Sequence, residues 1–485
     1  MTILHDLSPS LLWKHFQMLC NTPRPSGYEA ALREKLIRWA EERGLTCETD
    51  DAGNLLIRKA ATAGMEDRAS ICLQGHLDMV AQQNEGTNHD FVCDPIRPRI
   101  IDGWVHASDT TLGADNGMGV AAALAVLEST EIAHGPIEAL FTIEEETSMR
   151  GALELKAGWL RSDLLLNLDS EDRGEVYVGC AGGADVNVHR NFLESSIPQG
   201  WTVQQVEVKG LRGGHSGLDI HKGLGNANQL LVRLLIALGE QTGFSLVNFH
   251  GGTLRNALPR EASARIALPE SSLASLSHLC QTLAAQYQQE LSSVDANVHI
   301  TQLPAEGSAG LSEDDTRTLL NALFAAPHGV ERMSADVPGV VETSNNLGVV
   351  NLASGNFSAC LLVRSLRDAS TRTLADRIKA LFSLAGCTVT SDNGYPGWTP
   401  NPASPLLQRF QAVHAARFGH EAAVKVIHAG LECGIIGAIY PQMDMVSFGP
   451  IIRGAHSPNE RVEISSVAAF WDLLVALLAD APKAA

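Results

Sequence analysis

Ile71-Cys72-Leu73-Gln74-Gly75-His76-Leu77-Asp78 is the stretch on which the reading of this chain turns. Residues 71–75 form a short, mostly apolar run and read as a strand. That run ends in an imidazole, with a carboxylate two residues further on. Around it, residues 54–58, 137–143 and 164–168 are also short and strand-like. Residues 30–43 have helical periodicity, and 117–127 are small and apolar throughout, which suggests a buried helix. Such alternation predicts an α/β fold, with helices on both faces of a largely parallel sheet. The C-terminal end resumes the pattern, with a helix over 405–418, a strand over 443–448 and a helix over 465–479.

The middle of the chain differs. Strand-like runs at 203–209, 262–267, 298–303, 347–353 and 358–363 are interrupted by helical patterns at 226–240, 271–291 and 374–385. An α+β domain inserted into the first explains why the two ends look alike and the middle does not. The expected division is 1–185 and 399–485 for the outer domain and 186–398 for the insertion. The Gly/Pro-rich stretch 394–400 is expected to be the return linker.

Bulk properties restrict the function classes. The 485 residues are 45% hydrophobic and 19% charged, with a formal net charge of −19. That charge argues against a nucleic-acid partner. No run approaches the roughly 20 apolar residues that span a bilayer, and the N-terminal residues lack the pattern of a signal peptide. Nine dispersed cysteines without a C-x-x-C read as reduced thiols, and so as a cytoplasmic protein.

Five segments bring possible metal ligands to one kind of place. Residues 71–75 lead into His76 and Asp78. Asp115 precedes the apolar helix. Residues 137–143 lead into Glu144-Glu145-Glu146, 164–168 into Asp169, and 443–448, after a Gly/Pro loop, into His456. Taken singly, each has an ordinary explanation, as a structural histidine, a helix-capping aspartate or a solvated acidic turn. Five together make coincidence the weaker account, because open α/β sheets bind ligands beyond the carboxyl ends of their strands. Imidazole and carboxylate are zinc's ligand types, and a catalytic zinc keeps a position for water. Two metals about 3.5–4 Å apart need a shared carboxylate. A further carboxylate, not itself a ligand, must take the water's proton and pass it to the leaving amine. Adjacent glutamates suit that division of labour. Asp78 suits the orienting of the His76 ring through its second nitrogen.

Several motifs resemble the zinc peptidase family of carnosinases, aminoacylases and peptidase T, in order and nearly end to end. They are Gly-His-Leu-Asp-Met-Val (75–80), Gly-Ala-Asp-Asn-Gly (113–117), the Glu-Glu pair, Asn-Leu-Asp-Ser (167–170) and Gly-Ala-His-Ser-Pro (454–458). Further shared stretches are Gly-Gly-Thr-Leu-Arg-Asn-Ala (251–257), Val-Val-Glu-Thr-Ser (340–344), Ile-His-Ala-Gly-Leu-Glu-Cys-Gly (427–434) and Met-Asp-Met-Val-Ser (443–447).

The resemblance implies two Zn²⁺ per subunit, with Co²⁺ or Mn²⁺ as substitutes. His76 and Asp169 would hold one and Glu146 and His456 the other, with Asp115 bridging. Glu145 would be the general base and Asp78 the orienting acid. The resemblance also implies a cis peptide bond between Asp115 and Asn116, and an inserted domain that acts as a lid. From that lid His215 would stabilise an oxyanion, with Asn256 and Arg364 near the substrate and Arg364 on its free carboxylate. The direction of Arg255 stays open.

One departure stands out: family members carry Gly soon after the Glu pair, where this chain has Thr147-Ser148-Met149. Either the turn is remodelled or Ser148 is tolerated with little strain. The expected activity is metal-dependent hydrolysis of small peptides, dipeptides such as carnosine among them, by a homodimer. An aminoacylase-type deacylase would use nearly the same site. A non-catalytic metal-binding protein should have lost a ligand or the base, and none is missing.

Overall fold

The computed structural model describes residues 4–484. The chain forms two compact units, one of Met1–Gly179, Trp398–Val426 and Leu431–Ala485, the other of Cys180–Gly397 and Ile427–Gly430.

In the first unit an eight-stranded sheet runs, in spatial order, Thr46–Thr49, Leu55–Lys59, Ile137–Thr142, Ile71–His76, Leu164–Asn167, Asp444–Ser447, Glu175–Cys180 and Ala423–Ile427. The four strands from Ile137–Thr142 to Asp444–Ser447 are mutually parallel. On the flanks, Leu55–Lys59 is antiparallel to both Thr46–Thr49 and Ile137–Thr142, and Glu175–Cys180 is antiparallel to Asp444–Ser447. Thr46–Thr49 and Leu55–Lys59 are joined by a tight turn in which Asp50 Oδ1 accepts the N–H groups of Gly53 and Asn54, and so short a connection permits only an antiparallel pair. The parallel character expected from the alternation therefore belongs to the centre of the sheet.

Ile71–His76 and Ile137–Thr142 are buried at every residue. Successive strand side chains point to opposite faces, so both faces of the centre are covered. The helix Ala114–Glu128, rich in Ala and Gly, packs close. Asn116 Nδ2 donates to the Leu168 carbonyl at 2.8 Å, and a Cβ on Gly119 would stand 2.5 Å from the same oxygen. The helices Ser10–Cys20 and Ile464–Ala479 share this apolar core.

The second unit is an antiparallel sheet ordered His299–Pro304, Trp201–Lys209, Ala262–Pro269, Ser245–Gly251, Val341–Ala353, Asn356–Ser365, Gly182–Asn191 and Thr388–Tyr395, with Gly329–Met333 also paired to Val341–Ala353. Helices Ala227–Gly239, Leu273–Glu290, Glu313–Ala325 and Asp368–Leu384 bury Leu231, Leu276, Leu319 and Ile378 in its core.

Residue 186 lies inside Gly182–Asn191, and Thr388–Tyr395 reaches into the stretch read as a linker. Thr-Val-Thr-Ser-Asp-Asn-Gly-Tyr is a mostly exposed, polar edge strand with no hydrophobic alternation to reveal it. Ile427–Gly430 joins the second unit because the Ala181 N–H donates to the Ile427 and Ala429 carbonyls. No helix among the described residues is long and apolar enough to cross a membrane.

Candidate active site

The C-terminal ends of the four parallel strands carry the residues singled out in the sequence. His76 ends Ile71–His76, the glutamates follow Ile137–Thr142, Asp169 follows Leu164–Asn167, and the chain beyond Asp444–Ser447 leads to His456. All belong to the first unit. Strands that point the same way deliver their following loops to one edge of the sheet, which is why residues so far apart in sequence meet.

Asp115 lies between two histidines. Its Oδ1 is 3.2 Å from His76 Nε2, and its Oδ2 is 3.3 Å from His456 Nε2. Asp169 Oδ1 approaches His76 Nε2 at 3.4 Å, and Glu146 Oε2 approaches His456 Nε2 at 2.9 Å. Each histidine thus has its own carboxylate and one oxygen of Asp115. Ligand atoms of His76, Asp115 and Glu146 all lie within 4.8 Å of one another. The Asp115–Asn116 peptide bond is cis, as the resemblance implied.

Asp78 stands behind this group, fully buried. Its Oδ1 faces His76 Nδ1 at 3.3 Å and accepts the Glu145 N–H at 3.1 Å. Its Oδ2 accepts the Ser26 hydroxyl at 2.6 Å and the Glu146 N–H at 3.2 Å. One carboxylate therefore orients the imidazole and holds the backbone of the glutamate pair. Glu144 turns away, its Oε1 accepting Arg150 Nη2 at 2.6 Å and Nε at 2.9 Å. In the departure from the family pattern, Ser148 ends the short helix Glu145–Ser148, and it is Met149 that takes the left-handed backbone, at φ 53°. Ser148 itself takes a helical backbone and is accommodated without strain; the left-handed geometry falls one position beyond it.

The electrostatics are those of a site with too many anions. Asp78, Asp115, Glu145, Glu146 and Asp169 surround two imidazoles. Burial, joined by the neighbouring carboxylates Asp169 and Glu146, pushes Glu145 well above the ordinary carboxylate range. Burial and Asp115 raise Glu146, and burial lifts Asp169 to about 7. Burial disfavours a charged His76, yet Asp169, Asp115 and Asp78 push it well above its usual value. Hydrogen bonds to the carboxylates of Asp115 and Glu146 raise His456 to about 11. Glu146 Oε1 and Asp169 Oδ1 are buried without a hydrogen bond. Surplus carboxylates, imidazoles and orphaned acceptor oxygens are what a divalent cation satisfies, and its charge reverses such shifts. The residues fit a metal centre.

The second unit holds the other residues named from the resemblance. The Nδ1 atom of His215 accepts the N–H groups of Gly217 and Leu218, which puts the ring proton on Nε2. The Asn256 carbonyl accepts the Ser216 N–H, and the Asn256 residue is exposed. Arg364 is 5% exposed, with Nη1 donating to the Tyr395 hydroxyl at 2.8 Å and Nε to Ser216 Oγ. Arg255 points to Asp185, at 3.0 Å.

Sequence reasoning missed several supporting groups. Buried Arg24 donates to the carbonyls of Leu77, Asp78 and Gly113. Glu29 Oε1 accepts the Glu144 N–H. Buried Glu432 accepts from Gln74 and Thr142. Glu460 accepts four backbone N–H groups beside Asp115. The two carboxylates after Gly-Leu and Pro-Asn, inside or next to the motif stretches, were the available signal.

Known proteins bear the same stamp. The model of Peptidase family M20/M25/M40 matches residues 72–480. The Escherichia coli (strain K12) cytosol non-specific dipeptidase is 45% identical over 483 residues, covering 99% of this chain and 100% of the relative. The crystal structure of an aminoacylhistidine dipeptidase from Vibrio alginolyticus superposes with a TM-score of 0.91 at 44% identity, over 100% of this chain and 99% of that one. A Bacillus cereus aminopeptidase structure shares the fold, at a TM-score of 0.57 and 17% identity over 98% of this chain and 99% of that one. The sheet, the loops at its carboxyl edge and the full-length likeness lead to one conclusion: the chain belongs to peptidase family M20/M25/M40.

Proposed function

We propose that this peptidase hydrolyses dipeptides, Xaa-His dipeptides such as carnosine among them, in the cytoplasm and with two divalent cations, zinc in the first instance. The observation that carries the reading is the division of Asp115 between His76 and His456, one oxygen to each. His76 and Asp169 would hold one cation, Glu146 and His456 the other, with Asp115 shared. When bound, such a pair supplies Lewis acidity, making a water easier to deprotonate and polarising the scissile carbonyl. Glu145 takes the water's proton and returns it to the leaving amine. Its place next to Glu146, with its own backbone N–H held by Asp78, suits it to that task. Asp78 keeps the His76 ring and the backbone of the glutamate pair in place. From the second unit His215, with its Nε2 proton, is the oxyanion donor, and Asn256 and Arg364 recognise substrate, Arg364 through the free C-terminal carboxylate. That unit also serves as the lid and the dimerisation surface.

The likeness to the Escherichia coli and Vibrio alginolyticus dipeptidases supports the substrate class. The test is hydrolysis of a dipeptide panel, including carnosine, against N-acetyl amino acids, with and without a chelator. Chelator-sensitive cleavage of dipeptides is expected. Preference for the N-acetyl substrates would make the protein a deacylase instead.

A further inference from the structure

Four successive N–H groups lead into Asp115, and one buried side chain takes all of them. Glu460 Oε2 accepts from Leu112 at 2.7 Å and Gly113 at 2.9 Å, and Oε1 from Ala114 at 2.7 Å and Asp115 at 3.2 Å. Glu460 is 2% exposed. The opposite side of the same segment is tied as well, by Arg24 Nη2 on the Gly113 carbonyl. Gly113 sits at φ 71°, and a Cβ there would stand 2.6 Å from Arg24 Nη2, so the segment has no room to shift toward the guanidinium.

Glu460 is also four residues from His456, in the loop between the paired strands Ile452–Arg453 and Arg461–Glu463. That loop is wound on itself. The Ser457 N–H and hydroxyl both reach the Gly454 carbonyl, at 3.2 and 2.7 Å, and the Glu460 N–H reaches the Ser457 carbonyl at 3.0 Å. His456 itself is exposed and left-handed, at φ 64°, and apart from the contacts of its Nε2 with Glu146 and Asp115 it is the loop's own winding that sets its backbone. A displacement of Glu460 is therefore passed to His456.

We infer that Glu460 is a positioning residue that sets His456 in register with Asp115, and so assembles the half of the metal centre formed by Asp115, Glu146 and His456. The inference rests on the metal reading of the site given above. A carboxylate is required for the role: four donors need two acceptor oxygens, and an amide would turn an NH₂ against two of them. The His76–Asp169 pair does not ride on the loop that carries Glu460: His76 ends one strand of the central sheet and Asp169 follows another by two residues, and Arg24 still holds the segment before the shared Asp115 from its other side.

The experiment titrates metal-free enzyme with Zn²⁺ in competition with a chromophoric chelator, for the wild type and Glu460→Gln, alongside thermal melting of both apoproteins. The expected result is one equivalent bound within about threefold of wild type and the second weakened at least tenfold. At limiting Zn²⁺ kcat falls while KM stays within about twofold, and excess Zn²⁺ restores kcat. A lowered melting temperature with both affinities unchanged would reduce Glu460 to a fold-stabilising group and overturn the inference. Equal weakening of both equivalents would overturn it too. Should Glu460→Gln fail to fold, Glu460→Asp keeps the charge but falls one methylene short; selective weakening of the second equivalent supports the inference, and two wild-type affinities refute it. A wild type that binds no second equivalent refutes the metal-pair reading first, which separates the two failures.

Discussion

Replacing Asp78 by Asn tests the arrangement without removing any proposed ligand, and the structure sets the size of the effect. Asp78 faces four groups, two at each oxygen: His76 Nδ1 and the Glu145 N–H at Oδ1, the Ser26 hydroxyl and the Glu146 N–H at Oδ2. An asparagine has one acceptor oxygen and one NH₂. With NH₂ at the Oδ1 position, both groups there face a donor. With NH₂ at the Oδ2 position, the Ser26 hydroxyl can turn and accept, and only the Glu146 N–H loses its partner. The second orientation is the cheaper one. Its cost is one stranded N–H, about 1–3 kcal/mol, plus the lost negative charge against the His76 ring. A total of about 2–3 kcal/mol corresponds to roughly 30–150-fold in rate, close to the usual effect of groups that support a metal ligand. The assay is steady-state hydrolysis of a dipeptide at saturating Zn²⁺. We expect kcat to fall by about that factor, with KM changed less than about twofold because Asp78 touches no substrate. Wild-type kcat would refute the orienting role, and complete loss of metal would mean that Asp78 holds the site together rather than tuning it.

Asp115→Ala should lose both metal equivalents by elemental analysis, since each half gives up a ligand and the two cations lose the anion between them; two retained equivalents would contradict the bridging assignment. Glu145→Gln should keep its metal while kcat drops by about 10²–10⁴, whereas Glu144→Ala, whose wild-type carboxylate is engaged by Arg150, should stay near wild type in activity. For substrate recognition, Arg364→Ala should raise KM for a dipeptide but not for its C-terminal amide, and His215→Ala should mainly lower kcat. If the wild type hydrolyses both substrates equally, no carboxylate clamp exists. A fourth test concerns acid stability. Burial opposes the charge on Glu128, but Lys14, His15 and Arg43 overcome it and hold the carboxyl at about 2, below its usual 4.5. A depressed folded-state pKa stabilises above the unfolded value and is lost as pH falls. In urea denaturation the advantage of wild type over Glu128→Gln, at most about 3 kcal/mol at pH 7, should therefore shrink as pH drops below about 4.5 toward 2. A difference that does not change with pH would show that the carboxylate is not the source.

Local pattern was enough for the central strands, because a short apolar run at Ile71–His76 or Ile137–Thr142 is legible in any one stretch of chain. It was enough to single out the candidate site residues too, since His76, Asp115, Glu146, Asp169 and His456 each follow or precede a recognisable element. Polar edge strands such as Thr388–Tyr395 were not legible, because their stability comes from a neighbouring strand and not from their own side-chain alternation. Ser148 drew attention in the sequence, but only the three-dimensional turn assigned the left-handed conformation to Met149. The division of Asp115 between two histidines depends on parallel strands that bring residues 76 and 456 within reach of one carboxylate. The supporting carboxylates were hidden for a related reason. Glu460, Glu432 and Glu29 look like ordinary acidic residues in a chain of net charge −19, and their importance lies in the backbone N–H groups and side chains that only folding brings to them. Sequence determined which chemical groups this protein carries at the ends of which elements; tertiary structure decided which of those groups face each other, because hydrogen bonds and charge interactions act over a few ångströms of space, whatever the separation along the chain.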